Sequence, residues 1–349
     1  MQLNDWGPSE PPGVKPVEGI HPWRYVIAGV VLLGLALASV LVSIPMYYVY
    51  LPGPARDVET LVEVTGSKTY SSEGSLFLTT VTIDTQVTFF DLIQAGLDSQ
   101  KAVVDASSVN QGASLDDLKE EQDREMSESK RAARVVALGA LGLGRPTGDG
   151  AEIVDTLQGA PADGVLQPGD RIISLQGREV QTTCDVSRVM RTVEPGDVVT
   201  ITVQRGHKQL TFDDVTAVRN EQDGSALIGV RMRDANFKFE PEVNARFETG
   251  AIGGPSAGLM FALGLYDRLT PEDLTGGRRI AGTGTIRCDG AVGPIGGIEE
   301  KIAGAEREGA EVFLAPSADA AAAERVADSL LVVPVETFED AVEYLEGGR

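Results

Sequence analysis

Residues 250–263 read Gly250-Ala251-Ile252-Gly253-Gly254-Pro255-Ser256-Ala257-Gly258-Leu259-Met260-Phe261-Ala262-Leu263. A glycine-rich turn runs into Pro255, a residue suited to the first helical position, and then into an almost wholly apolar run that reads as a buried helix. The spacing predicts Ser256 at the amino end of that helix. There the unpaired N–H groups and the helix dipole favour negative charge, as on a tetrahedral oxyanion, with Gly254, Ser256 and Ala257 as the expected backbone donors. Small neighbours let a substrate main chain come close. Alone, such a turn is more often a helix cap than a nucleophile, so a second group has to be found.

That group is in Gly296-Gly297-Ile298-Glu299-Glu300-Lys301-Ile302-Ala303-Gly304-Ala305. It reads as a glycine turn entering an amphipathic helix, with Ile298 and Ile302 on the apolar face and Lys301 beside them. A lysine there usually extends to solvent. Held away from water its pKa falls, and the neutral amine becomes a general base near neutral pH. Lysine is a known substitute for histidine in activating a serine. The chain has two histidines. His21 precedes a long apolar run and His207 lies in the turn Arg205-Gly206-His207-Lys208, so neither fits a triad or a zinc site.

Together these stretches resemble the proteolytic domain of the Lon family, which works by a Ser–Lys dyad. The matching segments are Gly254-Pro255-Ser256-Ala257-Gly258, Val292-Gly293-Pro294-Ile295-Gly296-Gly297, Lys301, and Gly309-Ala310-Glu311-Val312-Phe313-Leu314-Ala315-Pro316. The resemblance implies Ser256 as nucleophile and Lys301 as base. It also implies a strand threonine bonded to the dyad, for which Thr285 fits and Thr283 remains an alternative. Lon-like domains assemble into rings, so a homo-oligomer is expected. Gly253 departs from the family, whose ATP-dependent members carry an acidic residue there. No GxxxxGK[ST] phosphate loop occurs. The expectation is an ATP-independent endopeptidase of unfolded or extended polypeptides, with no cofactor and no metal.

Upstream, Met126-Ser127-Glu128-Ser129-Lys130-Arg131-Ala132-Ala133 and the strand-like Gly74 to Val81 resemble Lon segments that precede the serine. Residues 114–136 read as a helix capped by Ser114, with Asp117 three residues on. Between, short β-branched runs (Ala151 to Leu157, Arg171 to Leu175, Val198 to Gln204) are parted by Gly, Pro and Asp. The run Gly159 to Ile173, with Gly169-Asp170 before an Ile-rich strand, and the later Glu194 to Gly206 resemble a PDZ domain. That implies recognition of an extended peptide by strand addition. Its carboxylate-binding loop is expected at Leu141-Gly142-Leu143-Gly144, the alternative being a flexible linker there. The domains read as 1–24 tail, 25–50 transmembrane helix, 55–135 first part of the protease domain, 136–220 PDZ-like domain and 221–349 catalytic part. Insertion of the PDZ-like domain is favoured over a simple string.

From Tyr25 to Val49 no residue is charged, and the run is long enough to cross a bilayer. Aromatic residues flank it, as interfacial belts do. A cleavable signal peptide is the rival, with Ala36-Leu37-Ala38 inside the run. Arg24 and the short leading tail place the rest outside the cytoplasm, as a single-pass protein of the cell membrane. The expected fold is thus an α/β (α+β) Lon-type proteolytic domain plus a small β-rich PDZ-like domain, preceded by one transmembrane helix. A net charge of −22 without a basic cluster excludes nucleic acid as a partner. Cys184 and Cys288 read as two lone thiols. A membrane-bound peptide-binding or chaperone-like protein with an inactive protease fold is the competing reading. Signal peptidase is a third, disfavoured because Ser256 lies so far beyond the apolar run.

Overall fold

The computed structural model describes residues 22–98, 100–110, 112–221, 224–250 and 252–347. His21 and most of the tail assigned to 1–24 lie outside the described residues. Helix α1 (Pro22–Leu41) is followed by β1 (Tyr47–Pro52), β2 (Arg56–Asp57), β3 (Val62–Thr65), β4 (Ser75–Leu78), β5 (Val81–Asp84) and α2 (Phe89–Leu97). Next come β6 (Ala102–Asp105), α3 (Ala106–Asn110) and the long α4 (Leu115–Ala140). The middle of the chain forms β7 (Ala151–Thr156), β8 (Arg171–Leu175), β9 (Arg178–Glu179), α5 (Thr183–Met190), β10 (Val198–Arg205), β11 (Lys208–Thr216), β12 (Val218–Arg219), β13 (Ala226–Leu227) and β14 (Val230–Asp234). The remainder is β15 (Asn244–Phe247), α6 (Gly258–Leu269), β16 (Arg279–Gly282), β17 (Thr285–Ile286), β18 (Val292–Gly293), α7 (Ile298–Arg307), β19 (Val312–Pro316), α8 (Ser317–Val326), β20 (Leu331–Val335) and α9 (Phe338–Gly347).

Helix α6 is the axis of the larger core. Leu259, Met260, Phe261, Ala262, Leu263 and Leu265 have no exposed surface, as expected of a helix apolar on every side. On one side it packs against α4, whose Met126, Ala133, Val136 and Ala137 recur at helical spacing. On the other lies a sheet of order β2-β4-β16-β19-β20. In it β4, β16, β19 and β20 run parallel, with Leu76 opposite Ile280, Ile280 opposite Val312 and Val312 opposite Leu331. Strand β3 pairs with β15. One core therefore draws on residues before 140 and after 235. Ser114 and Asp117 cap α4 reciprocally, side chain to main chain at 3.1 Å each way.

Residues 151–228 build a second core around Ile153, Ile172, Leu175, Ile201 and Val203, beneath a sheet of order β11-β10-β8-β7-β14. Its buried Asp170 is met by two guanidinium nitrogens of Arg205 at 2.7 Å. A third, small sheet has the order β5-β1-β6 and carries α2 on one face.

Two expectations are corrected here. The apolar run 25–50 does not form one helix. Helix α1 ends at Leu41, Pro45 lies in a turn, and Tyr47–Pro52 becomes a strand with neighbours on both sides and Tyr48 and Val49 buried. Proline lacks an N–H and disfavours helix at the residue before it, while Tyr-Tyr-Val-Tyr suits a pleated surface. Among the described residues no helix is long and apolar enough to cross a membrane; the side chains at 22, 36, 38, 40 and 41 of α1 lie outside them.

The second correction concerns the cysteines, which are not lone thiols. Cys184 on α5 is bonded to Cys288 in the turn between β17 and β18, 104 residues away, with Cα atoms 5.5 Å apart. Arg191, also from the second core, donates to the Asp289 carbonyl at 2.9 Å and lies 3.6 Å from its carboxylate, which has no exposed surface. The two cores are thus joined covalently and ionically at one turn. The native chain is expected to release no thiol to a thiol-reactive reagent and two after denaturation and reduction. Replacing both cysteines by serine should lower the unfolding free energy by about 2–4 kcal/mol, measured by denaturant titration. Two free thiols in the native protein would refute the bond.

Candidate active site

Ser256 lies in the turn that enters α6, two residues ahead of the first helical residue, rather than within the helix's first turn. The turn is held from three directions. From α4, Ser129 Oγ donates to the Pro255 carbonyl at 3.0 Å, and the Gln122 carbonyl accepts the Gly254 amide at 3.2 Å. From the segment after β16, the Ser256 carbonyl accepts the Gly284 amide at 2.8 Å and the Thr283 hydroxyl at 3.1 Å. Gly258 is required by contact: a Cβ there would meet Ile286 Cγ2 at 2.6 Å and Ser129 Oγ at 2.7 Å. Of the predicted oxyanion donors, Gly254 is corrected, since its amide is already taken by Gln122. Ala257 is buried and is the N-cap of α6.

Lys301 projects from the first turn of α7. That helix starts at Gly297, which adopts a left-handed conformation (φ 68°) and packs so closely that a Cβ would lie 2.7 Å from Val81. Lys301 is 3% exposed, and its Nζ donates to Thr283 Oγ1 at 3.1 Å. Burial pushes its pKa down from 10.5 to about 8, against an upward pull from the carboxylates of Asp319 and Glu300. Asp319 is itself positioned by the Ile295 amide, which donates to it at 3.0 Å. Burial also raises the Glu300 carboxyl above its ordinary value.

Ser256 and Lys301 line one cleft of about 520 Å³, with Ala257, Gly254, Gln122 and Gly296. The opposite wall is made by Tyr50, Thr79, Thr80, Val81 and Ile83, from β1, β5 and the turn between β4 and β5. The strand threonine beside the lysine is Thr283, not Thr285. The latter pairs with Gly293 in the β17–β18 hairpin, and a Cβ on Gly293 would lie 2.5 Å from its hydroxyl. Thr283, the alternative that the sequence left open, lies in the segment between β16 and β17, whereas Thr285 begins β17. Ser129, Gln122, Asp319 and Tyr50 were not singled out. Ser129 was within reach, since it lies in the segment quoted from Met126 to Ala133; for the other three no local signal exists.

Leu141-Gly142-Leu143-Gly144 has most of its amides already engaged. The amides of Leu141, Gly142 and Leu143 all donate to carbonyls of the last turn of α4, Leu143 packs on the larger core, and its carbonyl accepts the Glu242 amide at 2.8 Å. The segment terminates α4, and the helix consumes the donors that a carboxylate would need.

Residues 117–214 match the PDZ domain family, and residues 179–345 match the Lon protease (S16) C-terminal proteolytic domain. The two ranges overlap at 179–214, which the structure places in the second core. A Lon protease of Chloroflexus aggregans is 30% identical over 163 residues, covering 42% of this chain and 19% of that one. Lon protease 1 of Bacillus subtilis is 30% identical over 142 residues, covering 38% and 18%. The PDZ domain of an SdrC-like protein from Listeria monocytogenes matches 25% of this chain and 90% of its own, at 24% identity and a TM-score of 0.23. The chain spans about a fifth of the length of these Lon relatives. The chain is thus similar to the Lon proteolytic domain over 179–345 and to PDZ domains over 117–214, and both the serine and the buried lysine of the cleft fall in the Lon-like part.

The acidic limb of the kcat/KM profile on an unfolded protein substrate should have a midpoint near 8, activity rising with pH as the ammonium loses its proton. Asp319→Asn keeps an acceptor for the Ile295 amide but removes a charge that holds the lysine protonated, so the limb moves to lower pH; an unmoved or raised midpoint would refute the assignment. Thr283→Val should lower kcat/KM by roughly tenfold to a hundredfold, because it removes two buried hydrogen bonds. Thr285→Val should change it little; equal losses would mean the two threonines act alike.

Proposed function

We propose that this protein is an endopeptidase of unfolded or extended polypeptides in which Ser256 is the nucleophile and Lys301 the general base. The observation that carries the reading is the buried Lys301 amine, bonded to Thr283 and set on the same cleft as Ser256. With its pKa near 8, roughly a tenth of the lysine is neutral at pH 7 and ready to accept a proton. The Ser256 hydroxyl gives its proton to Nζ as Oγ attacks the scissile carbonyl. The resulting ammonium returns that proton to the leaving amine, and the acyl-serine remains. Water, deprotonated by the neutral lysine, then releases the acid. Thr283 aligns the lysine and, through the Ser256 carbonyl, the turn that bears the nucleophile.

Three further parts belong to this reading. The PDZ-like domain, expected at 136–220, extends through β14, which pairs with β7, and is inserted in a protease domain formed by 55–135 and the residues after 235; the pairing of β3 with β15 and of β4 with β16 across it supports the insertion. Peptide is received at β14, the end strand of the second sheet, which lies beside α5. Helix α1 seats the protein in a membrane: it has 20 residues, about 30 Å, and its described apolar side chains are exposed. The disulfide supports an oxidising, extracytoplasmic setting for the folded part. In this reading cleavage proceeds without nucleotide and copies of the chain assemble.

The test is cleavage of casein without ATP by the parent, Ser256→Ala and Lys301→Ala proteins. Each substitution should reduce cleavage by about 10³-fold or more. Equal activity of parent and Ser256→Ala would end the proposal. Peptide binding without cleavage by any of the three would favour a chaperone-like protein.

A further inference from the structure

Helix α2 is apolar on two sides. Its inner side, Leu92 and Ala95, packs on Val49, Leu51 and Val87. Its outer side carries Phe89, Phe90, Ile93 and Leu97, which are 53, 45, 48 and 85% exposed. At 3.6 residues per turn these four fall within roughly 100° of the helix circumference, centred about 140° from the packed side. The helix start is set by Thr88 and Asp91, which cap it reciprocally, so the bare arc is fixed in direction. A helix on a water-facing surface ordinarily turns polar residues outward, and contiguous exposed apolar residues mark a contact surface.

What covers this arc follows from its neighbour. Helix α1 lies against α2 and carries its own exposed apolar side chains, Leu32, Leu33, Leu35 and Leu37 among them. The chain leaving α1 is tied to the start of α2, with Ser43 bridged to Thr88 and the Ile44 amide bonded to the Val87 carbonyl at 2.7 Å. The bare arc therefore continues the apolar surface of α1. Its surroundings carry Asp84 and Asp91, and of the cations past its carboxy end Lys101 is paired with Asp98 at 3.5 Å and Arg307 is bonded to Gln100 at 2.5 Å. Anionic headgroups gain nothing there, and an electroneutral lipid surface fits.

We infer that α2 is an interfacial helix, bedding Phe89, Phe90, Ile93 and Leu97 into the headgroup–acyl boundary of a phosphatidylcholine-like bilayer beside α1. This rests on the reading of α1 as the membrane anchor. It also specifies the substrate. In the β5-β1-β6 sheet, Val49 and Leu51 point to α2, while Tyr50 and its cross-strand partner Ile83 line the cleft. One helix and one sheet layer, about 20 Å together, separate lipid from cleft, a span of about six extended residues. The substrates are polypeptides held on the same membrane and cut within a short reach of it.

The experiment uses the full chain with phosphatidylcholine vesicles. Leu97→Trp is made in a background carrying Trp6→Phe and Trp23→Phe, and vesicle flotation is read beside quenching of the indole by brominated phosphatidylcholine. Flotation with a blue-shifted, quenched indole is expected. Flotation with a solvent-like, unquenched indole overturns the proposal and leaves the anchor intact. A blue shift that grows with protein concentration without quenching also overturns it, since a second copy then covers the arc. Loss of flotation removes the anchor reading and this one with it. In parallel, Ile93→Asn with Leu97→Asn should lower cleavage of a bilayer-tethered peptide about tenfold while free casein is cut at the parent rate. Equal loss on both substrates, or on neither, would count against the inference.

Discussion

The Ser256 carbonyl accepts two hydrogen bonds, from the Gly284 amide at 2.8 Å and the Thr283 hydroxyl at 3.1 Å. The proposed nucleophile sits in a turn ahead of α6, where no helical ladder holds it, so its position depends on such tethers. Thr283 also accepts from the Lys301 ammonium. One hydroxyl thus ties the lysine to the main chain of the serine. Ser129 and Gln122 hold the same turn from α4. Removing any one of these elements would leave buried polar groups without partners, which is why the site depends on packing between segments more than a hundred residues apart.

The lysine stands in a balance of opposed forces. Burial at 3% exposure favours the neutral amine, and the nearby carboxylates of Asp319 and Glu300 favour the ammonium. Burial wins, but only far enough to bring the pKa to about 8. Without the carboxylates the amine would be a weaker base, and without burial it would be protonated at every physiological pH. Gly297 permits this placement, because its left-handed turn lets α7 start against Val81 of the opposite cleft wall.

The same segment that carries Thr283 and Gly284 continues into the turn bearing Cys288 and Asp289. There α5 of the second core is attached by the disulfide and by Arg191. The helix beside the edge strand β14 is therefore five residues of main chain from the threonine at the lysine. This connection is mechanical, made of covalent and buried ionic contacts, and it replaces the two independent thiols that spacing alone suggests.

Much of the site was legible because it is local. The turn 250–258, the apolar run after it, and Gly297 followed by Lys301 each carry their signal within ten residues, and the cap at Ser114 likewise needed only Asp117. What failed was nonlocal. The helix read through 25–50 stopped at Leu41 because Tyr47–Pro52 found strands on both sides, a gain that no window of hydropathy contains. The Leu141–Gly144 turn looks free until α4 claims its amides, and of the two threonines Thr283 meets the lysine because the placement of α7, not composition, decides which hydroxyl it reaches. The sequence by itself determined which residues could do chemistry and which runs could be buried, since side-chain type and periodicity are properties of the chain. Only the tertiary structure decided which of them meet, joined Cys184 to Cys288, dried Lys301 and left the outer face of α2 bare, because burial and pairing depend on segments that are distant along the chain.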